Sequence, residues 1–182
     1  TGNATDFGDL VTGVYNPASL SSATRGIVAG GANLSPTPFA ESNEITYITI
    51  ASTGNSVDFG NLTVVRETPG GNVASPTRGI IAGGDSPSEV NSIDYITIAT
   101  TGNANDFGDL TLARIEPAGF SNTTRGLFAC GGDPYTDRID YITIATTGNA
   151  IDFGNATNSP RALGALASPT RGIVAGGTPD AS

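Results

Sequence analysis

Histidine, lysine, methionine, tryptophan and glutamine do not occur in this chain of 182 residues. Without histidine there is no imidazole acid or base, no Ser-His or Cys-His nucleophile pair, and no imidazole-ligated metal. The single cysteine, Cys130, excludes an internal disulfide, so the fold stands without covalent staples. Leu127, Phe128 and Ala129 before it read as packed strand, and no basic side chain adjoins it, which makes it a buried, inert thiol. Charge is sparse, at 14% of residues, and the 17 acids outweigh eight bases, all arginine, for a net charge of −9. That sign argues against a nucleic-acid binder living on phosphate contacts. No apolar run approaches the ~18 residues of a membrane-spanning helix, and the first residues lack the charged and apolar regions of a secretory leader. The chain opens on Thr1 rather than methionine and reads as a portion of a longer protein.

What is abundant is glycine, 25 residues, about twice the usual share, and repetition. Thr-Gly-Asn begins at Thr1, Thr53, Thr101 and Thr147, and Asp-Phe-Gly follows at Asp6, Asp58, Asp106 and Asp152. Thr-Arg-Gly recurs at Thr24, Thr77, Thr124 and Thr170, each time leading through an apolar stretch to a glycine pair, the third of these being Gly131 and Gly132. Ile-x-Tyr-Ile-Thr-Ile-Ala occurs only three times, from Ile45, Ile93 and Ile139. Units of approximately 1–52, 53–100, 101–146 and 147–182 therefore cover one repeat domain, 1–182, whose last unit lacks a strand.

Each unit reads as about four short strands. Tyr95 to Ala99 is rich in β-branched and aromatic residues, with Ile96 and Ile98 on one face and Tyr95 and Thr97 on the other. Gly79 to Ala82 is uniformly apolar and predicts a strand covered on both faces. The segments after Arg66 and Arg114 and the Asp-Phe-Gly segments supply the other two, and Thr-Gly-Asn is turn chemistry. No stretch holds a 3.6-residue apolar stripe, so helix should be minimal.

The order Gly-Gly, Tyr in a strand, Thr-Gly-Asn, an aromatic, then Arg, as in Gly83, Gly84, Tyr95, Phe107, Arg114 and in Gly131, Gly132, Tyr141, Phe153, Arg161, resembles the kelch repeat. More closely, the cadence is similar to kelch-like repeat proteins encoded by tailed phages of marine bacteria. The resemblance covers essentially the whole chain. It implies an all-β fold, a kelch-like β-propeller of four-stranded blades of about 47 residues, four units with one incomplete. Phe stands where kelch blades usually carry tryptophan, and the first unit departs further, with Val14 for the arginine and Thr46 for Asp94 and Asp140.

Candidate chemistry resolves mostly into packing. Asp-Phe-Gly is also a kinase metal-binding triplet, but four copies without a glycine-rich phosphate loop or catalytic lysine read as a repeat element. The carboxylates Asp6 with Asp9 and Asp106 with Asp109 suit calcium in kind, yet the other two units carry Asn61 and Asn155 in the second position, which favours turn caps. Arg25, Arg78, Arg125 and Arg171 recur in register and are expected to be structural, pairing with carboxylates such as Asp58 or Asp106 or with backbone carbonyls between units; a ring of them could also clamp an anion. The loops vary most, at 32–44, 85–92 and 133–138, and variable loops on a repeated scaffold are where recognition resides. Aromatics expected to be exposed in loops, Tyr15, Phe39, Phe120 and Tyr135, are the candidate binding residues, suited to stacking on sugar faces or to sealing loops onto the scaffold.

The expected function is a non-enzymatic structural or host-surface-binding module of a phage virion or secreted surface assembly, with no catalytic residue, metal or cofactor. Its expected partners are other virion or assembly subunits and a host-surface glycan, without nucleic acid or membrane insertion, at an extracellular or virion location. A second copy could complete the fourth unit as a homo-oligomer. The alternative is a carbohydrate-binding lectin or carbohydrate-active enzyme using the interblade loops.

Overall fold

The computed structural model describes residues 2–34 and 40–178. Among them there is no helix, and 17 strands form small antiparallel sheets. The strand β1 (Val14–Tyr15) opens a side ribbon. The first sheet begins with β2 (Ala18–Ser21) and β3 (Arg25–Ala29); β4 (Ala32–Asn33) and β5 (Ala40–Glu41) pair in the ribbon with β1; then β6 (Glu44–Thr49) and β7 (Val57–Asn61) complete the sheet in the order β2-β3-β6-β7. The second sheet is β8 (Gly71–Ala74), β9 (Arg78–Ala82), β10 (Ser92–Thr97) and β11 (Asn105–Asp109), and the third is β12 (Ala118–Ser121), β13 (Arg125–Ala129), β14 (Arg138–Thr143) and β15 (Ile151–Asn155), each paired in chain order. The last sheet has two strands, β16 (Gly164–Ala167) and β17 (Gly172–Ala175).

The sheets are offset from the repeat frame that starts at Thr-Gly-Asn. Each sheet opens on the segment before Thr-Arg-Gly and closes on the following Asp-Phe-Gly strand, so residues 2–11 carry an outer-strand motif without forming a strand, and the last sheet is two strands short of the others. The central strands are the small, apolar ones, because a middle strand is covered on both faces: Ile80, Ile81 and Ala82 of β9 are all fully buried.

Pairing between the third and fourth strands slips at the same place in every complete sheet, between Ile45 and Thr46, Ile93 and Asp94, and Ile139 and Asp140. The unmatched residue opposite each slip is the phenylalanine of Asp-Phe-Gly, since Ile45 faces Gly60 and Thr46 faces Asp58. A bulge re-aims its side chain, and here it sends Phe59 into a core with Ile96, Ile98 and Ala104 of the second sheet. Phe107 likewise enters a core with Ile142, Ile144 and Ala150 of the third. The hydrophobic interior is thus a series of seams between sheets. The first strands also stack in succession, β2 on β8, β8 on β12 and β12 on β16.

Phe153 has no such seam and is 53% exposed, against 2% for Phe59 and Phe107. Phe59→Ala is expected to cost about 3–5 kcal/mol, the usual range for a buried phenylalanine, and Phe153→Ala less than about 1 kcal/mol, because much of its ring already meets water. Paired urea melts of the two variants check this.

Candidate functional site

Neighbouring repeat units are joined by one polar latch used three times, first between the segment 2–11 and the first sheet, then between successive sheets. The amide of Gly54 donates to the Phe7 carbonyl at 2.8 Å, Gly102 to Phe59 at 2.7 Å and Gly148 to Phe107 at 2.7 Å. The amides of Ser56, Ala104 and Ala150 donate to the carbonyls of Asp9, Asn61 and Asp109 at 2.8–2.9 Å. Between these bonds the asparagine of Thr-Gly-Asn accepts from the facing amide: Asn55 from Asp9, Asn103 from Asn61, Asn149 from Asp109. The motif that reads as a turn is also an inter-sheet connector. Glycine in Asp-Phe-Gly is required by the approach: Gly60 has φ of 144° and a Cβ there would overlap the Gly102 carbonyl. The aspartate caps its own bend, with Asp58 accepting from the Gly60 amide at 3.1 Å.

The repeated arginines tie sheets together through carbonyls. Arg25 lies 4.4 Å above the Tyr47 ring and donates to the Ile98 carbonyl of the second sheet at 2.8 Å. Arg78 does the same over Tyr95 and to Ile144 of the third, again at 2.8 Å. Arg125 covers Tyr141 at 4.6 Å, and Arg171, exposed on the last sheet, has no tyrosine beneath it among the described residues. Asp58 and Asp106 form no ion pair with these arginines among the described residues, so the carbonyl half of the expected pairing is what the geometry contains.

The ion pairs lie elsewhere. Arg66 reaches Asp94 at 2.7 Å and Arg114 reaches Asp140 at 3.0 Å, all four side chains fully buried. Thr63 and Thr111 each donate both amide and hydroxyl to the same carboxylates. Burial pushes both guanidinium groups below their ordinary pKa, while the facing aspartate pulls the other way. Conserving charge neutrality across a dry seam explains the first unit: Val14 and Thr46 replace arginine and aspartate together, and Val11 stands where Thr63 and Thr111 stand.

The last unit needs a one-residue correction. The resemblance equates Arg161 with Arg114, but the Gly31 and Gly84 amides donate to the Arg66 and Arg114 carbonyls, and the Gly131 amide donates to Pro160. The isolated bridges agree, aligning Glu67, Ile115 and Arg161. Pro160 therefore holds the buried-arginine position, and Arg161 turns outward to Asp133 at 3.5 Å, Glu116 at 3.9 Å and the face of Tyr135. The same kind of slip affects the third glycine pair. Cys130, with φ of 58°, occupies the place of Gly30 and Gly83, at φ of 65° and 71°, and Gly131 follows it as Gly31 and Gly84 do. Cys130 is buried, and burial raises its thiol pKa despite the opposing charge of Arg114.

Two clefts draw residues from all four units. One lies where the first strands begin, about 210 Å³, lined by Asn16, Thr68, Glu116 and Ala162 among others. Those four share a positive φ of 46–54°, unusual for non-glycine residues, and a backbone chain links the first three, with Thr68 donating to Asn16 and Glu116 to Thr68. Thr68 Oγ1 and Asn72 Oδ1, both at this cleft, are buried without a hydrogen-bond partner. The other cleft, about 620 Å³, lies where the first strands end and is walled by the Ser22, Ser75, Asn122 and Ser168 turns. Each of these turns is closed by a side-chain oxygen accepting from the arginine amide three residues on.

The candidate aromatics do not gather. Tyr15 is exposed on β1. Phe120 is a strand residue of β12 in the place of Leu20 and Val73, against Gly172 of the last sheet. Tyr135 lies beneath Arg161, and Phe39 falls outside the described residues. The described residues hold no cluster of three or more carboxylate or thiol side chains placed for a metal ion. Sequence reasoning missed the Arg66–Asp94 and Arg114–Asp140 pairs, although the joint loss of both charges in the first unit was a legible signal.

Two outcomes follow. Arg66→Val and Asp94→Thr should each cost about 3–5 kcal/mol, as loss of one member of a buried ion pair does. The double variant, with the first unit's residues, should cost less than the sum, with about 2 kcal/mol of coupling in a double-mutant cycle of denaturation free energies. Glu67 is raised above its ordinary 4.5 by burial first, then by Asp85 and Glu41. The folded state thus holds that proton more tightly than the unfolded chain, and its contribution to stability is full below the ordinary carboxylate range and lost as pH rises through the raised value. Glu67→Gln should flatten the fall of Tm over that window and raise Tm at neutral pH. No protein-family model matches this chain, and no curated protein does.

Proposed function

We propose that this chain is a non-enzymatic, kelch-like propeller-type repeat module, serving as a structural or host-surface-binding part of a virion or secreted surface assembly. The observation that carries the reading is the latch between repeat units, repeated three times with main-chain bond lengths agreeing within 0.1 Å. Phe59 and Phe107, the asparagines Asn55, Asn103 and Asn149, and Arg25 and Arg78, which recur in register, join one unit to the next. What differs between units is the connecting loops, and a rigid repeated frame with unequal loops is the form of a display scaffold. The stacked first strands and the two clefts shared by all four units support units disposed about a common axis.

An exposed tyrosine on the side ribbon, Tyr15, favours glycan binding as the second reading, since its ring is free to stack on a sugar face. Glycan arrays and reducing-end release assays on the purified chain test both. Binding to glycans or to assembly subunits without release of sugar is the expected result. Loss of glycan binding in Tyr15→Ala moves the reading to a lectin, and hydrolysis abolished by one Asp→Asn change overturns it.

A further inference from the structure

Where the first two sheets meet, the backbone sets acidic residues in one row. Glu67 and Asp85 face each other across an antiparallel bridge, exchanging main-chain bonds of 3.1 and 2.9 Å, and Asp85 faces Glu89 across a second bridge. Residues directly opposite in such pairs point to one side, with Cβ atoms about 4.5–5.5 Å apart. On the other flank Glu41 of β5 adjoins Glu67, because the amide of Arg66 donates to the Ser42 carbonyl at 3.1 Å. Among the described residues none of these four carboxylates forms an ion pair, and Asp85 Oδ1 is buried without a hydrogen-bond partner.

Beside the third sheet the same bridge joins Ile115 to Gly132, again with bonds of 3.1 and 2.9 Å, and the first ribbon sets Tyr15, Ala32 and Glu41 in a row. Like charges directly opposite destabilise a strand pair, so the acids weaken a contact that the same backbone makes elsewhere without them. We propose that the tight loop 85–89 is released by pH: it lies against Glu67 while that residue holds a proton and leaves it when the proton is lost. The protonated carboxyl supplies the donor that Asp85 Oδ1 lacks; once ionised, it stands between the charges of Glu41 and Asp85 with no opposite charge beside it. The nearby arginines are engaged elsewhere. Arg66 is buried on Asp94 and Arg114 on Asp140, while Glu116, whose amide donates to Thr68, lies by Arg161. Tyr15 is set apart from Glu41 by Ala32.

The direction follows from which state holds the proton. Burial first, then Asp85 and Glu41, raise Glu67 above its ordinary value. The closed loop therefore binds the proton more tightly than the open one, so closure is favoured below the raised value and lost as pH rises through it. A change of about tenfold in opening needs only about one pKa unit between the two states. The loop is one of those whose length differs between units, so its release alters the surface that the scaffold presents. The inference stands on the bridge and the row of acids, and the glycan and release assays neither support nor undermine it.

The experiment is amide hydrogen exchange, followed by NMR on the 182-residue chain and read as protection factors from about pH 4 to about pH 7. Protection at the Glu67 and Asp85 amides, which make the bridge, should fall about tenfold over that range. The Ile115 and Gly132 amides, in the acid-free bridge, and Ile81 in β9 should keep theirs. Glu67→Gln should hold protection high and level, because its amide is a neutral donor at every pH. Glu41→Gln should move the midpoint to lower pH, since one repelling charge is gone. Both replace a carboxyl by an amide of like size. A level profile in the unaltered chain, an equal fall at Gly132, persistence of the fall in Glu67→Gln, or a midpoint unmoved in Glu41→Gln would overturn the proposal.

Discussion

The contact on which this structure depends is the approach of two backbones, the Asp-Phe-Gly strand of one sheet and the Thr-Gly-Asn turn of the next. A carbonyl of one glycine lies where the Cβ of another residue would be, two main-chain hydrogen bonds cross the gap, and an asparagine side chain accepts a third. The approach is possible only because a bulge turns the phenylalanine out of its own sheet and glycine follows it. Polar register and apolar packing are therefore set by the same three residues. With no internal disulfide available, neighbouring sheets hold one another through these contacts.

Charge is arranged by the same economy of contact. Arginine is the sole cation, and in Arg25, Arg78, Arg66 and Arg114 it takes two roles suited to a planar fork: lying on a tyrosine while donating to a carbonyl of the next sheet, or buried against an aspartate of the sheet that follows. The buried pair is present as a pair or absent as a pair. Leaving one member alone in a dry seam carries a desolvation penalty of several kcal/mol, which is why Val14 and Thr46 changed together.

The strands β9 and β10, the cover on both faces of β9 and the alternation along β10 were legible because alternation and β-branching report burial directly. The joining role of Thr-Gly-Asn was not, since a turn motif has the same composition whether it faces water or another sheet. Nor was the place of Phe120, which looks like a loop aromatic until its neighbours show it to be the counterpart of Leu20 and Val73. Arg161 and the Gly131–Gly132 pair were misaligned by one residue because the match followed residue type: counted from Asp-Phe-Gly and Thr-Arg-Gly, the positions fall on Pro160 and Cys130, where the backbone also puts them.

The order of residues alone determined that the chain repeats, that it is built of β-strands, and that neither disulfide nor imidazole chemistry is open to it; these follow from counting side chains and from periods that local geometry imposes. Which residues meet was decided only in three dimensions. Partners such as Arg66 and Asp94, or Gly60 and Gly102, lie 28 and 42 positions apart, and only the offset between repeat frame and sheet frame brings them together. That offset arises from pairing between strands, a long-range interaction that no local pattern encodes.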